Sequence, residues 1–174
     1  MPRLGLTFTA LSALLLSTAC DDASGSTASI QLRDDCDPAT FNAALGAGTC
    51  QHSSQGGVTV TAFNSELTAN HSVAAWSIRP ATLTLNVGTT LPVMNLGGET
   101  HTYTEVEQFG GGVVPALNQL SGNTTVAPEC ADQAGVASST VVSGGTMQHT
   151  FDETGTERYQ CCIHPWMRQT VTVR

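Results

Sequence analysis

The chemistry of this chain is concentrated near its C-terminus, in the run Tyr159-Gln160-Cys161-Cys162-Ile163-His164-Pro165-Trp166-Met167. Cys161, His164 and Met167 stand at successive spacings of three residues. A thiolate, an imidazole and a thioether are soft donors, and together they suit copper. Tyr159 and Cys161 alternate onto one face at the end of a strand, which directs the thiol toward a core. Pro165 tightens the turn that follows, returning His164 and Met167 toward that thiol. A second imidazole would complete a His₂Cys plane with a weak axial sulfur. His101 is the expected donor, because it follows a turn at residues 95–100 and opens a strand. His52, His71 and His149 are expected to be incidental to the site.

The chain has six cysteines: Cys20, Cys36, Cys50, Cys130, Cys161 and Cys162. Cys36 and Cys50 bracket a short segment and are expected to form a local disulfide. Adjacent residues of a strand face opposite sides, so Cys162 turns away from the face that Cys161 occupies. Cys162 is therefore expected to pair with Cys130, leaving Cys161 free as a thiolate. The exchanged assignment would make Cys162-x-His164 the ligand pair, a spacing that fits no copper loop. Two adjacent cysteines also do not supply the separated thiolates of a binuclear centre.

Such ligands need a rigid frame, and the sequence describes one made of short strands. Period-two alternation runs through 58–63, 81–87, 91–96 and 101–106, with Gly88, Gly97-Gly98 and Gly110-Gly111-Gly112 as turns. Further strands are expected at 140–142, 146–151, 159–161 and 170–173, with a long loop over 117–135. Seven or eight strands of this kind indicate an all-β sandwich. Residues 41–45 read as a short helix closed by Gly46.

Residues 1–19 read as an export signal, with Arg3, an apolar stretch over 4–16, and Ser17-Thr18-Ala19 leading into Cys20. Cys20 is the expected point of cleavage and lipidation. An acidic tether and disulfide-stapled flap are expected over 20–57, and the copper domain over 58–174. The protein is thus expected outside the cytoplasm, periplasmic or at the cell surface, where disulfides persist.

Composition agrees with one small folded domain. The chain has 174 residues, of which 11% are charged and 40% hydrophobic, too few charges for a disordered chain. Fourteen acids stand against six bases, all arginine, which excludes nucleic acid as a partner. The acidic excess keeps an exported protein soluble, or steers a basic redox partner.

From Val58 to Arg174 the chain resembles the cupredoxins of the plastocyanin and amicyanin type. Its Tyr-x-Cys-x-x-His-Pro-x-Met run, Tyr159 to Met167, resembles the amicyanin ligand loop, shorter than that of plastocyanin. The resemblance implies a Greek-key β-sandwich holding one type 1 copper through His101, Cys161, His164 and Met167. It implies that the backbone N–H of Thr102 donates to the Cys161 sulfur, with Asn95 supporting the site from the preceding turn. Electrons would pass at the edge of the fold through an exposed His164, beside a docking patch at Pro165 and Trp166. Cys162 departs from the family pattern, and the segment before Val58 has no counterpart in the minimal fold.

The function that follows is single-electron transfer with a partner such as a cytochrome or a copper oxidoreductase, by a monomer that meets membrane only through the lipid anchor. Copper carriage at the envelope is the alternative, although carriers favour exposed methionine- or histidine-rich tracts. A multicopper enzyme is disfavoured, since Cys161 is flanked by Gln160 and Cys162 and no His-x-His pair occurs.

Overall fold

The computed structural model of the protein describes Met1 and residues 28–174; the export signal and the Cys20 lipidation point lie outside the described residues. The first element is β1 (Ile30–Arg33), whose alternation buries Ile30 and Leu32 completely. Helix α1 (Pro38–Leu45) follows, with the Asp37 carboxylate accepting from the Thr40 amide at 3.0 Å as its N-terminal cap. Gly46 ends it, as its sequence suggests.

Helix α2 (Val60–Asn70) replaces the strand expected over 58–63. The apparent alternation there ends after three apolar residues. Phe63 and Leu67, four positions apart, are the side chains buried, and that spacing fits one helix face. Thr59 caps the helix, its hydroxyl accepting from the Ala62 amide at 3.2 Å. Phe63 then packs edge-on to Trp76, with ring centroids 4.8 Å apart.

The strands β2 (Ser77–Arg79), β3 (Thr82–Leu85), β4 (Thr89–Asn95), β5 (His101–Thr102) and β6 (Thr104–Glu105) come next. The stretch expected as a loop over 117–135 contains helical turns: α3 (Pro115–Leu120), α4 (Pro128–Ala131) and α5 (Gln133–Ser138). Proline opens α3 and α4, where its missing N–H is no loss, and the Asp132 carboxylate caps α5. The chain closes with β7 (Thr140–Val141), β8 (Thr146–Phe151), β9 (Gly155–Gln160) and β10 (Arg168–Val173).

These strands form two four-stranded sheets, ordered β2-β1-β4-β8 and β3-β10-β9-β6, with a small β5-β7 ribbon. The architecture is the expected sandwich, mostly β rather than all-β, with ten strands among the described residues where the sequence indicates seven or eight, and with five short helices. Residues 30–57 are integral to it, not a flap laid over one end. β1 lies inside the first sheet, parallel to β4 with Leu32 opposite Asn95 and antiparallel to β2 with Leu32 opposite Ile78. Disulfides join Cys36 to Cys50 and Cys130 to Cys162. The main core gathers Ile30, Leu32, Trp76, Ile78, Val93, Phe151, Tyr159 and Val171 between the sheets.

The β1 connection presses so closely on the β4–β5 turn that Gly97 and Gly98 are obligatory. A Cβ on Gly97 would collide with the carboxylate and backbone nitrogen of Asp34, and one on Gly98 with the His52 carbonyl and the Cys36 sulfur. Gly97→Ala is therefore expected to destabilise the protein by about 1–3 kcal/mol, measured by denaturant unfolding.

Candidate metal centre

The ligand strands meet at one end of the sandwich. Asn95, fully buried at the end of β4, clamps the turn before His101. Its Nδ2 donates to the carbonyls of Glu99 and Val141, both at 2.8 Å, and its Oδ1 accepts from the Gly97 amide at 2.9 Å. Opposite, β9 delivers Tyr159 into the core and ends at Gln160, so that Cys161 opens the loop to β10. That loop closes on itself: the Cys161 amide donates to the Met167 carbonyl at 3.0 Å, and the Met167 amide to the His164 carbonyl at 2.9 Å. Arg168 Nε adds a bond to the Pro165 carbonyl at 2.8 Å.

This arrangement brings three of the sequence-derived candidates together. Sγ of Cys161 lies 3.8 Å from Nδ1 of His101 and 3.9 Å from Nδ1 of His164. The potential ligand atoms of all three side chains fall within 4.8 Å of one another, and all three residues are buried. With bonds of about 2.3 Å to sulfur and about 2.0 Å to nitrogen, a trigonal metal would separate those atoms by about 3.7 Å. The two sulfur–nitrogen distances therefore fit a metal with little rearrangement. Thr102 donates its backbone N–H to Sγ at 3.4 Å. Met167, 1% exposed, is buried in the same core.

The electrostatics favour a thiolate. Burial pushes the Cys161 thiol up, but hydrogen bonds and positive charge from His101 and His164 outweigh it and hold the thiol well below its ordinary value of 9.0. Burial opposes the charged form of His101 as well, yet its contacts with Asp34 and Cys161 raise it to about 9. Cys161 is the free cysteine among the described residues.

The other candidates divide. His52 and His71 are exposed, and half-buried His149 meets the Tyr159 hydroxyl through Nε2 at 2.7 Å, apart from the cluster. His164 is not the exposed ligand expected, for only 3% of it is accessible. Helix α2, unrecognised in the sequence, places Phe63 5.9 Å from the Trp166 ring, and Trp166 packs 5.5 Å from His164. Trp166 is half-buried and Pro165 buried, so any docking patch here is narrower than the loop sequence suggests.

Two acids that sequence reasoning missed also reach the site. Oδ2 of Asp34 lies 2.8 Å from Nε2 of His101, and Oε2 of Glu99 lies 3.4 Å from Nε2 of His164. Asp34, together with Asp35, reads in sequence as part of a solvated acidic cluster. In the structure they are 1% and 8% exposed. The only sequence hint is that Asp34 follows the buried alternation of β1 without a glycine or proline break.

Solved structures to which the chain is similar include cupredoxins. Among solved structures the chain is similar to the purple cupredoxin from Nitrosopumilus maritimus, at 22% identity and a TM-score of 0.40, over 62% of this chain and 93% of that one. It is also similar to a Cu(I) amicyanin variant, at 21% identity and a TM-score of 0.38 over 59% and 78% of the two chains. Oxidised plastocyanin from Dryopteris crassirhizoma shows 18% identity and a TM-score of 0.36 over 57% and 89%. No protein-family model matches the chain, and no curated protein matches it. At these identities and TM-scores the likeness carries no argument about function, and the metal centre stands on the chain's own residues.

The depressed thiol has a measurable consequence. A group lowered in this way contributes stability that is fully present above 9.0 and is lost as pH falls through its folded-state value. Metal-free protein at neutral pH should therefore show thiolate ultraviolet absorbance that Cys161→Ser removes. Acid titration should bleach it only well below the ordinary thiol range.

Proposed function

We propose that this protein is a type 1 copper protein that carries single electrons between redox partners at the cell envelope. The observation that carries the reading is the convergence of His101 Nδ1 from β5 with Cys161 Sγ and His164 Nδ1 in a buried cluster, the latter two on a loop that also holds Met167. Copper would supply a one-electron couple there, held by His101, Cys161 and His164, with the Met167 thioether offered as a further soft donor. The chain's own part is to hold the donors still. The loop's internal hydrogen bonds, the Asn95 clamp and the Thr102 N–H on the sulfur restrain each ligand before and after a change of charge. Water is excluded from all three ligand side chains. Electrons would pass to and from a partner through His164, with the neighbouring Trp166 and Pro165 as the docking residues.

The two disulfides indicate an oxidising compartment. No helix among the described residues is long and apolar enough to cross a membrane. Export with lipidation at Cys20, and a partner such as a cytochrome or copper oxidoreductase drawn to the net charge of −8, complete the proposal. Copper carriage is the weaker reading, because a carrier must release its metal and these ligands are buried. Catalysis is not part of the proposed role.

Purified mature protein loaded with Cu(II) should show an intense thiolate-to-copper band in the visible and a reversible one-electron couple. Cys161→Ser should abolish the band. Cys162→Ser should keep it while lowering stability by about 2–4 kcal/mol through loss of the disulfide. A colourless Cu(II) complex would exclude the reading, and an exchange of the two serine results would reverse the cysteine assignment. If Cys20→Ala protein still partitions with membranes, the lipid anchor is excluded.

A further inference from the structure

An imidazole can ligate through Nδ1 only if that nitrogen is aimed at the metal and its proton resides elsewhere. The two candidate histidines have comparable surroundings, with a carboxylate hydrogen-bonded to His101 at 2.8 Å and another at ion-pair distance, 3.4 Å, from His164. Nδ1 faces the Cys161 sulfur and Nε2 faces a buried carboxylate, Asp34 for His101 and Glu99 for His164. A carboxylate at Nε2 keeps the remaining ring proton on that nitrogen when a metal takes the place of the Nδ1 proton, and it favours the ring orientation that aims Nδ1 at the site.

The carboxylates are themselves immobilised. Besides meeting His101, the Asp34 carboxylate accepts from the amides of Cys36 at 3.1 Å, Gly98 at 3.0 Å and Glu99 at 3.0 Å. Its side chain is inaccessible to solvent. Glu99 Oε2 accepts from the indole N–H of Trp76 at 2.6 Å. Asp34 follows β1 directly and lies two residues before the Cys36–Cys50 disulfide, so the connection leaving the first strand reaches the metal cluster.

We propose that Asp34 and Glu99 are the positioning residues of the metal centre, paired carboxylates that hold each ligand imidazole with Nδ1 toward Cys161 and bias a bound redox metal toward its more oxidised state. The bias is coulombic: negative charge fixed in a water-poor site stabilises the more positive ion. The inference rests on the metal reading above, and its test separates the two.

The test uses the mature protein with both disulfides intact, comparing Asp34→Asn and Glu99→Gln with wild type. Asp35→Asn is the control. Asp35 is likewise buried and accepts from the amides of Ser54, Gln55 and Gly57, but it has no contact with a ligand histidine. Competition titrations with Cu(II), and separately with Zn(II), should show affinity about 10–100-fold weaker in the Asp34 and Glu99 variants. Their copper reduction potentials should rise and their visible spectra shift, while Asp35→Asn loses stability and leaves affinity, spectrum and potential near wild type.

Wild-type affinity and potential in both site variants would overturn the inference while leaving a coloured copper centre intact. Equal changes in Asp35→Asn would overturn it too, by showing a general effect of buried charge. If wild type forms no coloured copper complex, the redox reading fails, and the Zn(II) affinities alone decide whether the carboxylates position the histidines. Should Asp34→Asn fail to fold, Glu99→Gln carries the comparison.

Discussion

A sulfur shut away from water, in surroundings that favour its anion, is the constraint on which this structure turns. Cys161 is fully buried, and an isolated thiolate in that position would be strongly disfavoured. Two imidazoles at 3.8 and 3.9 Å and the Thr102 amide at 3.4 Å make it tolerable. Those groups come from one strand, β5, and the tight loop after β9, so the packing of that strand against that loop is tied to this one atom. The same arrangement leaves the donors aimed at a common point, which is what a metal requires.

Adjacent cysteines with opposite fates show how strand geometry divides the work. Cys161 faces the cluster. Cys162 faces a separate, smaller core with Val106, Ala127 and Cys130, and its disulfide anchors the helical connection between β6 and β7. One residue of displacement along an extended chain separates a reactive sulfur from a structural one. The disulfide also removes the competing thiol that would otherwise lie beside the ligand.

The acidic composition takes on two meanings in the folded protein. Exposed acids such as Glu107, Asp152 and Glu153 are solvated and account for much of the net negative charge. Asp34, Asp35 and Glu99 are buried and satisfied instead, the first two by backbone amides brought in from distant loops. A buried carboxylate persists only where hydrogen bonds replace its hydration, and the Gly97-Gly98 turn and the loop after His52 provide them. The N-terminal segment belongs to the site through these contacts.

What the sequence determined by itself was local. Cys161, His164 and Met167 lie within seven residues, so their spacing and the proline between them dictate a compact ligand loop with little help from the fold. Short alternating stretches likewise announced most strands, because a half-buried strand needs apolar residues at every second position. His101 was legible only through the turn before it. The tertiary structure decided the rest. Helix α2 was hidden because its three-residue alternation mimics a strand, and only packing of Phe63 on Phe41 and Trp76 selects the helical face. The closure over His164 depends on that helix, and the Asp34–His101 contact spans 67 positions. A carboxylate written in a chain looks solvated whatever its fate, since only the folded surroundings determine whether amides or water will satisfy it.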